Sequence, residues 1–398
     1  MSELAFLRPT NEAAERAKFL EALGRGESYE PQLEYQDPDR AATIRKACDC
    51  FLNDEFEQQS LMVVRGIREE YGSEEAYCTA VWGRQLDTTE VDCACEGYLA
   101  ANRLQGKVLF EWNPNVLVTM CGVPKSGPGK VRLVTRPNYY REIRLASLLD
   151  HEVGTHFIRS YNHKQAFKGA PPFRHAEGWL LATEEGLATL NTNRWYSDRR
   201  FWVPALHYLA CILASRLPFS QLWHELAVYI GESDHERLWT ICLRVKRGMR
   251  DTGCPGGYYK DQSNFTGGLR LLQRRKTIEF DLLHCVRTSI EDFPRARAAA
   301  RKALDSGQAI LPEFVKTPAA LEAYHRELDE LAQANGVMDA ASSVPTATHP
   351  VSTLYPNVWS VPRHPKHAIL PKPVCTSERV IPMCYEYIQY LCIMSNEV

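Results

Sequence analysis

Between Arg141 and His151 the apolar residues Leu145, Leu148 and Leu149 recur at helical intervals, so a helix with one buried stripe runs directly into His151. Similar spacing predicts helices over Asn11 to Leu23, Pro38 to Met62 and Thr88 to Leu104. Asn11 is placed to cap the first of these and Gly24 to stop it. Further helices are expected from near Thr183, from Phe201 to Arg216, from Gln221 to Tyr229 and from Ser233 to Met249, with Ser233 and Glu236 as a capping box. A glycine-rich turn, Gly253 to Gly257, interrupts the pattern before helical signals resume from Thr266 to Asn335, with Gly336 as a stop. Three strand-like runs lie in the middle: Lys107 to Trp112, Val116 to Met120 and Lys130 to Thr135. The third alternates, with Val131 and Leu133 on one face. The Pro/Gly-rich stretch Pro124 to Gly129 before it suggests a hairpin. The fold class is therefore α+β and mostly helical, with a small sheet beside the helix that leads into His151.

The pattern fades after Gly336. Met338 to Val398 holds eight of the 23 prolines among Ser and Thr clusters and shows little periodicity. That composition reads as an extended or disordered extension. The expected organisation is an N-terminal helical segment over 1–34, a catalytic domain over 35–337 and the Pro-rich extension over 338–398.

Composition narrows the setting. Hydrophobic residues make up 44% and charged residues 24%, ordinary for a globular chain of 398 residues. A net charge of −2 gives no global field toward nucleic acid or a membrane. No apolar run of about 18 residues predicts a membrane span. Met1 to Asn11 lacks the basic and apolar regions of a signal peptide. Thirteen cysteines then read as reduced thiols in the cytosol. The pairs Cys48/Cys50 and Cys93/Cys95 have no partner pair at zinc-finger spacing and read as plain thiols.

The candidate chemistry starts at His151-Glu152-Val153-Gly154-Thr155-His156. A zinc peptidase needs three protein ligands and one open position; two imidazoles and a carboxylate suit zinc. Histidines four apart on a helix diverge by about 40°, but five apart they diverge by about 140°. His151 and His156 can share an ion only if the helix widens between them. A single π-type turn would do this, and Gly154 eases it. Glu152 can reach the water held by the metal rather than the metal, as general base. The third ligand is expected from Thr183-Glu184-Glu185-Gly186-Leu187-Ala188, where Thr183 would cap the helix. Glu185 follows His151 by 34 residues, room for a loop and an antiparallel return. Neighbouring glutamates point about 100° apart, so one ligates and the other can orient a histidine. His224-Glu225 and His235-Glu236 lack a second histidine and read as ordinary helix faces.

Cations gather at Arg244, Lys246, Arg247 and Arg250, with Lys260 just beyond the glycine turn. They either complement the dipole of a helix end or hold a substrate carboxylate, with Lys260 and Arg247 the leading choices for the latter. Arg159 is a further candidate. Tyr258 and Tyr259 either donate to an oxyanion or pack against the turn. The run Lys130 to Thr135 either serves as an edge for an extended substrate or lies inside the sheet.

The stretches His151 to Arg159, Thr183 to Ala188, and Arg244 to Thr252 with Gly256 to Tyr259 and Lys260-Asp261-Gln262 together resemble the microtubule-associated tyrosine carboxypeptidase family. With it belongs a bacterial and eukaryotic set of domains formerly of unknown function. The resemblance runs from about Tyr35 to Val337. It implies a gluzincin-like metallopeptidase in which His151, His156 and Glu185 hold one zinc ion, Glu152 is the catalytic carboxylate and Glu184 supports a histidine. In animals, members remove the C-terminal tyrosine of α-tubulin. The implied partner is the α-tubulin tail or the microtubule, and the implied location is the cytoplasm in association with the cytoskeleton. A different peptide substrate, or a microtubule-binding scaffold without catalysis, are the alternatives.

Overall fold

The computed structural model describes residues 3–114, 119–122, 127–135, 139–167 and 179–338. The expected C-terminal extension, most of the expected Val116 to Met120 strand and part of the Pro124 to Gly129 loop fall outside these.

The chain opens with six helices: α1 (Glu3–Phe6), α2 (Glu12–Gly24), α3 (Pro38–Ala47), α4 (Glu57–Tyr71), α5 (Glu74–Trp82) and α6 (Thr88–Ala101). Strands β1 (Val108–Asn113), β2 (Met120–Gly122) and β3 (Gly129–Val134) follow. α7 (Glu142–His151) passes through a π-helical segment, Glu152–Phe157, into α8 (Ile158–Ala166). The rest is helical: α9 (Trp179–Asn193), α10 (Trp202–Ala214), α11 (Phe219–Ile230), α12 (His235–Lys246), α13 (Gln262–Gln273), α14 (Phe280–His284), α15 (Phe293–Asp305) and α16 (Pro318–Ala334). Among the described residues no helix is long and apolar enough to cross a membrane.

The sheet order is β1-β3-β2, with β1 and β3 parallel and β2 and β3 antiparallel. The run from Lys130 is therefore the central strand and not an edge. Its alternation buries Val131 and Leu133 against Leu145 and Leu149 of α7 and Val153 and Phe157 of the π segment. This cluster seats the sheet beneath the His-Glu helix. A larger core gathers around α10, whose Trp202, Leu206 and Leu209 are buried with Phe219, Trp223, Leu238 and Phe265. Each such side chain contributes roughly 1.5–3 kcal/mol by leaving water. Phe19 of α2 joins this core through Phe219, Trp223 and Trp239.

Local signals were overridden where tertiary partners satisfied the backbone better. The expected helix from Pro38 to Met62 stops at Ala47 and resumes at Glu57, with Asn53 in the connection. There the Tyr208 hydroxyl accepts from Phe56 N–H (3.0 Å) and donates to Asn53 O (2.5 Å), while Gln262 Oε1 accepts from Asn53 N–H (2.8 Å). α12 is capped by Asp234, which accepts from Arg237 N–H, and not by Ser233. Thr183 lies inside α9 rather than at its start, and its hydroxyl accepts from Ile290 N–H (3.1 Å). Asn11 occupies the position before α2, but its amide bonds Gln32 O and Glu34 N–H across the chain instead of capping.

Candidate metal centre

The π-helical segment does what a five-residue histidine spacing requires. It brings the His151 and His156 rings to 4.9 Å between centroids, where an undistorted helix would point them apart. Thr155 supports the distortion, because its hydroxyl donates to the Asp150 carbonyl five residues back (2.8 Å). Gly154 is needed for close approach. A Cβ there would lie 2.8 Å from the Tyr98 hydroxyl and 3.3 Å from Asp150 Oδ1. Those two atoms are themselves bonded at 2.7 Å. The other Asp150 oxygen accepts from Arg194 (2.5 Å) and Trp195 Nε1 (2.6 Å), so the turn is clamped from its buried side.

Glu185 comes from α9. That helix crosses α13 at backbone contact, since a Cβ on Gly267 would sit 1.8 Å from Ala182 O. The crossing brings Asn264 Nδ2 to 3.2 Å from Glu185 Oε2. One nitrogen of each histidine and one oxygen of Glu185 lie within 4.8 Å of one another, and His156 Nε2 is 3.9 Å from Glu185 Oε2.

Each imidazole has its other nitrogen committed. The Thr192 hydroxyl donates to Ala188 O (2.9 Å) and so can only accept from His151 Nδ1–H (3.0 Å). Glu184 Oε1 accepts from His156 Nδ1–H (3.2 Å). Both bonds engage Nδ1 and leave Nε2 as the nitrogen that can ligate, once His156 has given up its second proton. The donor set therefore fits a divalent cation of zinc type.

The charges around the site are unequal. Burial alone would lower the His156 pKa, but the Glu184 hydrogen bond and the Glu185 and Glu152 carboxylates raise it to about 9. Burial drives His151 well below its ordinary value. Burial would raise Glu184, yet Arg159 beside it, with His156 and Arg287, brings it down to about 2. Burial lifts Glu152 to about 7, against the pull of His156 and of Cys121 N–H. That N–H belongs to edge strand β2 and donates to Glu152 Oε2 (2.8 Å), which leaves Oε1 3.9 Å from His151 Nε2.

The expected substrate contacts are dispersed. Lys246 is fully buried and donates to the carbonyls of Ala214 (3.2 Å), Leu217 (2.7 Å) and Cys254 (2.9 Å), so it braces the ends of α10 and α12 rather than facing a ligand. Tyr258 is fully buried with Leu7, Leu33 and Ile44 and is no oxyanion donor; Tyr259 is buried in the main core. Arg159 is fully buried and spends its guanidinium on Glu184, Leu283 O and Thr288 O. Arg244 forks onto buried Asp261 (2.6 and 3.0 Å). Arg247 lies 3.6 Å from the same carboxylate, 4.1 Å over the Tyr258 ring, with its Nε unbonded. Lys260 is half-buried, has no ion pair among the described residues and lies in the turn before α13. Thr192, Asn264 and Asn191 were not expected. Thr192 could have been found, since it follows Glu185 by seven residues and so shares its helix face.

No family model matches the chain. A human protein named microtubule-associated tyrosine carboxypeptidase 1 is 30% identical over 346 residues, covering 85% of this chain and 69% of that protein. The chain belongs to the microtubule-associated tyrosine carboxypeptidase family. The mouse protein of the same name matches to the same extent. Among solved structures, one described as a lipoprotein from Colwellia psychrerythraea aligns with 82% of this chain and 57% of its own at TM-score 0.40 and 13% identity, too distant to bear on fold or activity. As a member of the tyrosine carboxypeptidase family, the chain carries its convergent His151, His156 and Glu185 on a helix pair that the aligned region includes.

Proposed function

We propose that the chain is a zinc-dependent metallocarboxypeptidase that removes a C-terminal residue, the C-terminal tyrosine of α-tubulin first. The supporting observation is the convergence of His151, His156 and Glu185 within 4.8 Å beside the buried Glu152 carboxylate. The substrate rests on the family, whose human and mouse members are named microtubule-associated tyrosine carboxypeptidases. The fold is proposed to be gluzincin-like, with the third ligand supplied by the helix after the His-Glu helix. Residues 35–337 are proposed as the catalytic unit, 1–34 as an N-terminal helical segment and 338–398 as an extension. A cytoplasmic, cytoskeleton-associated location without a nucleic-acid partner follows from the same reading.

When bound by His151, His156 and Glu185, zinc supplies Lewis acidity that makes water a usable nucleophile near neutral pH. Glu152 is the general base: its Oε1 takes the proton of the attacking water, and the carboxyl then gives it to the leaving amine. The Cys121 N–H holds Oε2 and so fixes the plane of the carboxylate. In the metal-free site, burial lifts the Glu152 pKa to about 7. The outer edge of β2 beside Glu152 is proposed to carry the substrate backbone, a role the central strand β3 cannot take. Lys260 and Arg247 are proposed to hold the terminal carboxylate, with Arg244 behind them fixing Asp261.

Mass spectrometry of α-tubulin tails after incubation with the zinc-loaded protein tests this. Loss of one tyrosine, absent with Glu152→Gln, is expected. Intact tails would remove the tubulin assignment and leave another peptide substrate. Cellular detyrosination that survives Glu152→Gln would instead favour a scaffold.

A further inference from the structure

Behind the π-helical segment lies a second layer of polar groups that touches no ligand atom. Thr155, Asn191 and His284 are fully buried, and Tyr324 is 1% exposed. Their hydrogen bonds have one consistent direction. The Tyr324 hydroxyl donates to Asn191 Oδ1 (2.7 Å), which fixes the amide with Nδ2 toward the π segment. Asn191 Nδ2 donates to Thr155 Oγ1 (2.7 Å), and Thr155 passes its own hydrogen to the Asp150 carbonyl (2.8 Å). The second Asn191 hydrogen points at His284 Nε2 (3.4 Å), an acceptor because His284 Nδ1–H donates to Phe280 O (2.7 Å).

This arrangement bears on register. A regular α-helix would supply Asp150 O with a donor four residues on; here the Thr155 side chain supplies one from five residues on. With that carbonyl accepting from a fully buried Thr155 hydroxyl, the widened turn need not revert. Reversion would turn His156 away from His151 by most of a right angle or more. Asn191 is also the neighbour of Thr192, which orients His151, and lies on the helix that carries Glu185. One face of α9 thus supplies a ligand and a ligand's partner, and its buried side supplies the clamp on the turn that holds the other two ligands.

We propose that Asn191 is a positioning residue for the metal centre, acting through the Thr155 hydroxyl to hold the π-turn in the register that aligns His151 with His156. The proposal rests on the reading of these residues as zinc ligands. Removing the hydroxyl while keeping the side-chain shape, as in Thr155→Val, takes this side-chain donor from Asp150 O. Asn191→Asp reverses the polarity, because a carboxylate draws the Thr155 hydrogen to itself. Thr155→Ser keeps the donor.

The experiment is a titration of the full chain, stripped of metal, with Zn2+ alone in competition with a chelator, together with far-ultraviolet circular dichroism and thermal melting of the metal-free form. Thr155→Val and Asn191→Asp are expected to raise the zinc Kd about tenfold or more, in the range of lost outer-sphere partners. Their metal-free spectra stay native, and Thr155→Ser stays within about threefold of the wild type. An unchanged Kd in Thr155→Val, or a Thr155→Ser as weak as Thr155→Val, overturns the proposal. So does failure of both Thr155→Val and Asn191→Asp to reach a native spectrum while Thr155→Ser folds normally, since the network would then serve folding alone. Wild-type protein that takes up no more zinc than His151→Ala would instead defeat the metal assignment itself.

Discussion

Glu184 Oε1 lies 3.2 Å from His156 Nδ1, while its other oxygen is bonded to the fully buried guanidinium of Arg159. One carboxylate thus orients a candidate ligand and neutralises a buried cation. Breaking a buried pair by removing one partner costs about 3–5 kcal/mol. Glu184→Ala is therefore expected to lower stability first and zinc affinity second, whereas Glu185→Ala loses zinc with little effect on melting of the metal-free protein. Glu184 is an acid whose folded pKa, about 2, lies below its ordinary value. Its contribution is complete above about pH 4.5 and is lost as pH falls toward 2. Melting temperature followed from pH 6 to 3 should fall in the wild type and be flatter in Glu184→Gln.

Zinc uptake should release protons. The metal-free His156 has its pKa raised to about 9, so it is protonated at pH 7.5 and must lose that proton to ligate. Titration calorimetry in buffers of different ionisation enthalpy should report about one proton released per zinc at pH 7.5. Release should decline as the pH is raised through 9. A value near zero at pH 7.5 would mean that His156 is already neutral.

Gly154→Ala tests the packing behind the turn. Alanine is the better helix former by about 1 kcal/mol. Its Cβ would nevertheless meet the Tyr98 hydroxyl at 2.8 Å and strain the Tyr98–Asp150 bond. The overpacking term, about 1–3 kcal/mol, is expected to win. A lower melting temperature with weaker zinc binding is predicted; a stabilised variant would show that the pocket yields.

Lys260 and Lys246 are expected to behave oppositely. Lys260→Ala should raise KM for peptides with a free C-terminal carboxylate, and much less for amidated ones, with an unchanged melting temperature. Lys246→Ala removes the ammonium that bonds the carbonyls of Ala214, Leu217 and Cys254, of which Ala214 O keeps the Gly256 N–H. It should lower melting by several degrees without changing that preference. Equal KM effects on both peptide types for Lys260→Ala would remove it from carboxylate binding.

Much of the site could be read from the chain because its chemistry is local. The five-residue histidine spacing demanded a widened turn, and the segment Glu152–Phe157 is one. That Glu184 and Glu185 point apart was legible from helix geometry, while the choice of Glu185 as the ligand came from the family resemblance; Glu184 bonds His156. What was not legible depends on long-range partners. Lys246 reads as a solvent cation until α10 and the glycine turn wrap its ammonium. Nothing near Asn53 announces that Tyr208, more than 150 residues on, will bond the backbone between α3 and α4. Asn264 meets Glu185 only because two glycines let α9 and α13 touch. The position of β3 within the sheet depends on pairing with β1, which alternation along one strand does not encode.

The central claim is that His151, His156 and Glu185 hold one ion that Glu152 serves but does not bind. Metal content of the purified full chain, measured by elemental mass spectrometry after zinc loading and desalting, tests it most directly. About one zinc per chain is predicted for the wild type and for Glu152→Gln, and close to none for His151→Ala. Equal zinc in the wild type and His151→Ala, or loss of zinc in Glu152→Gln, would contradict it.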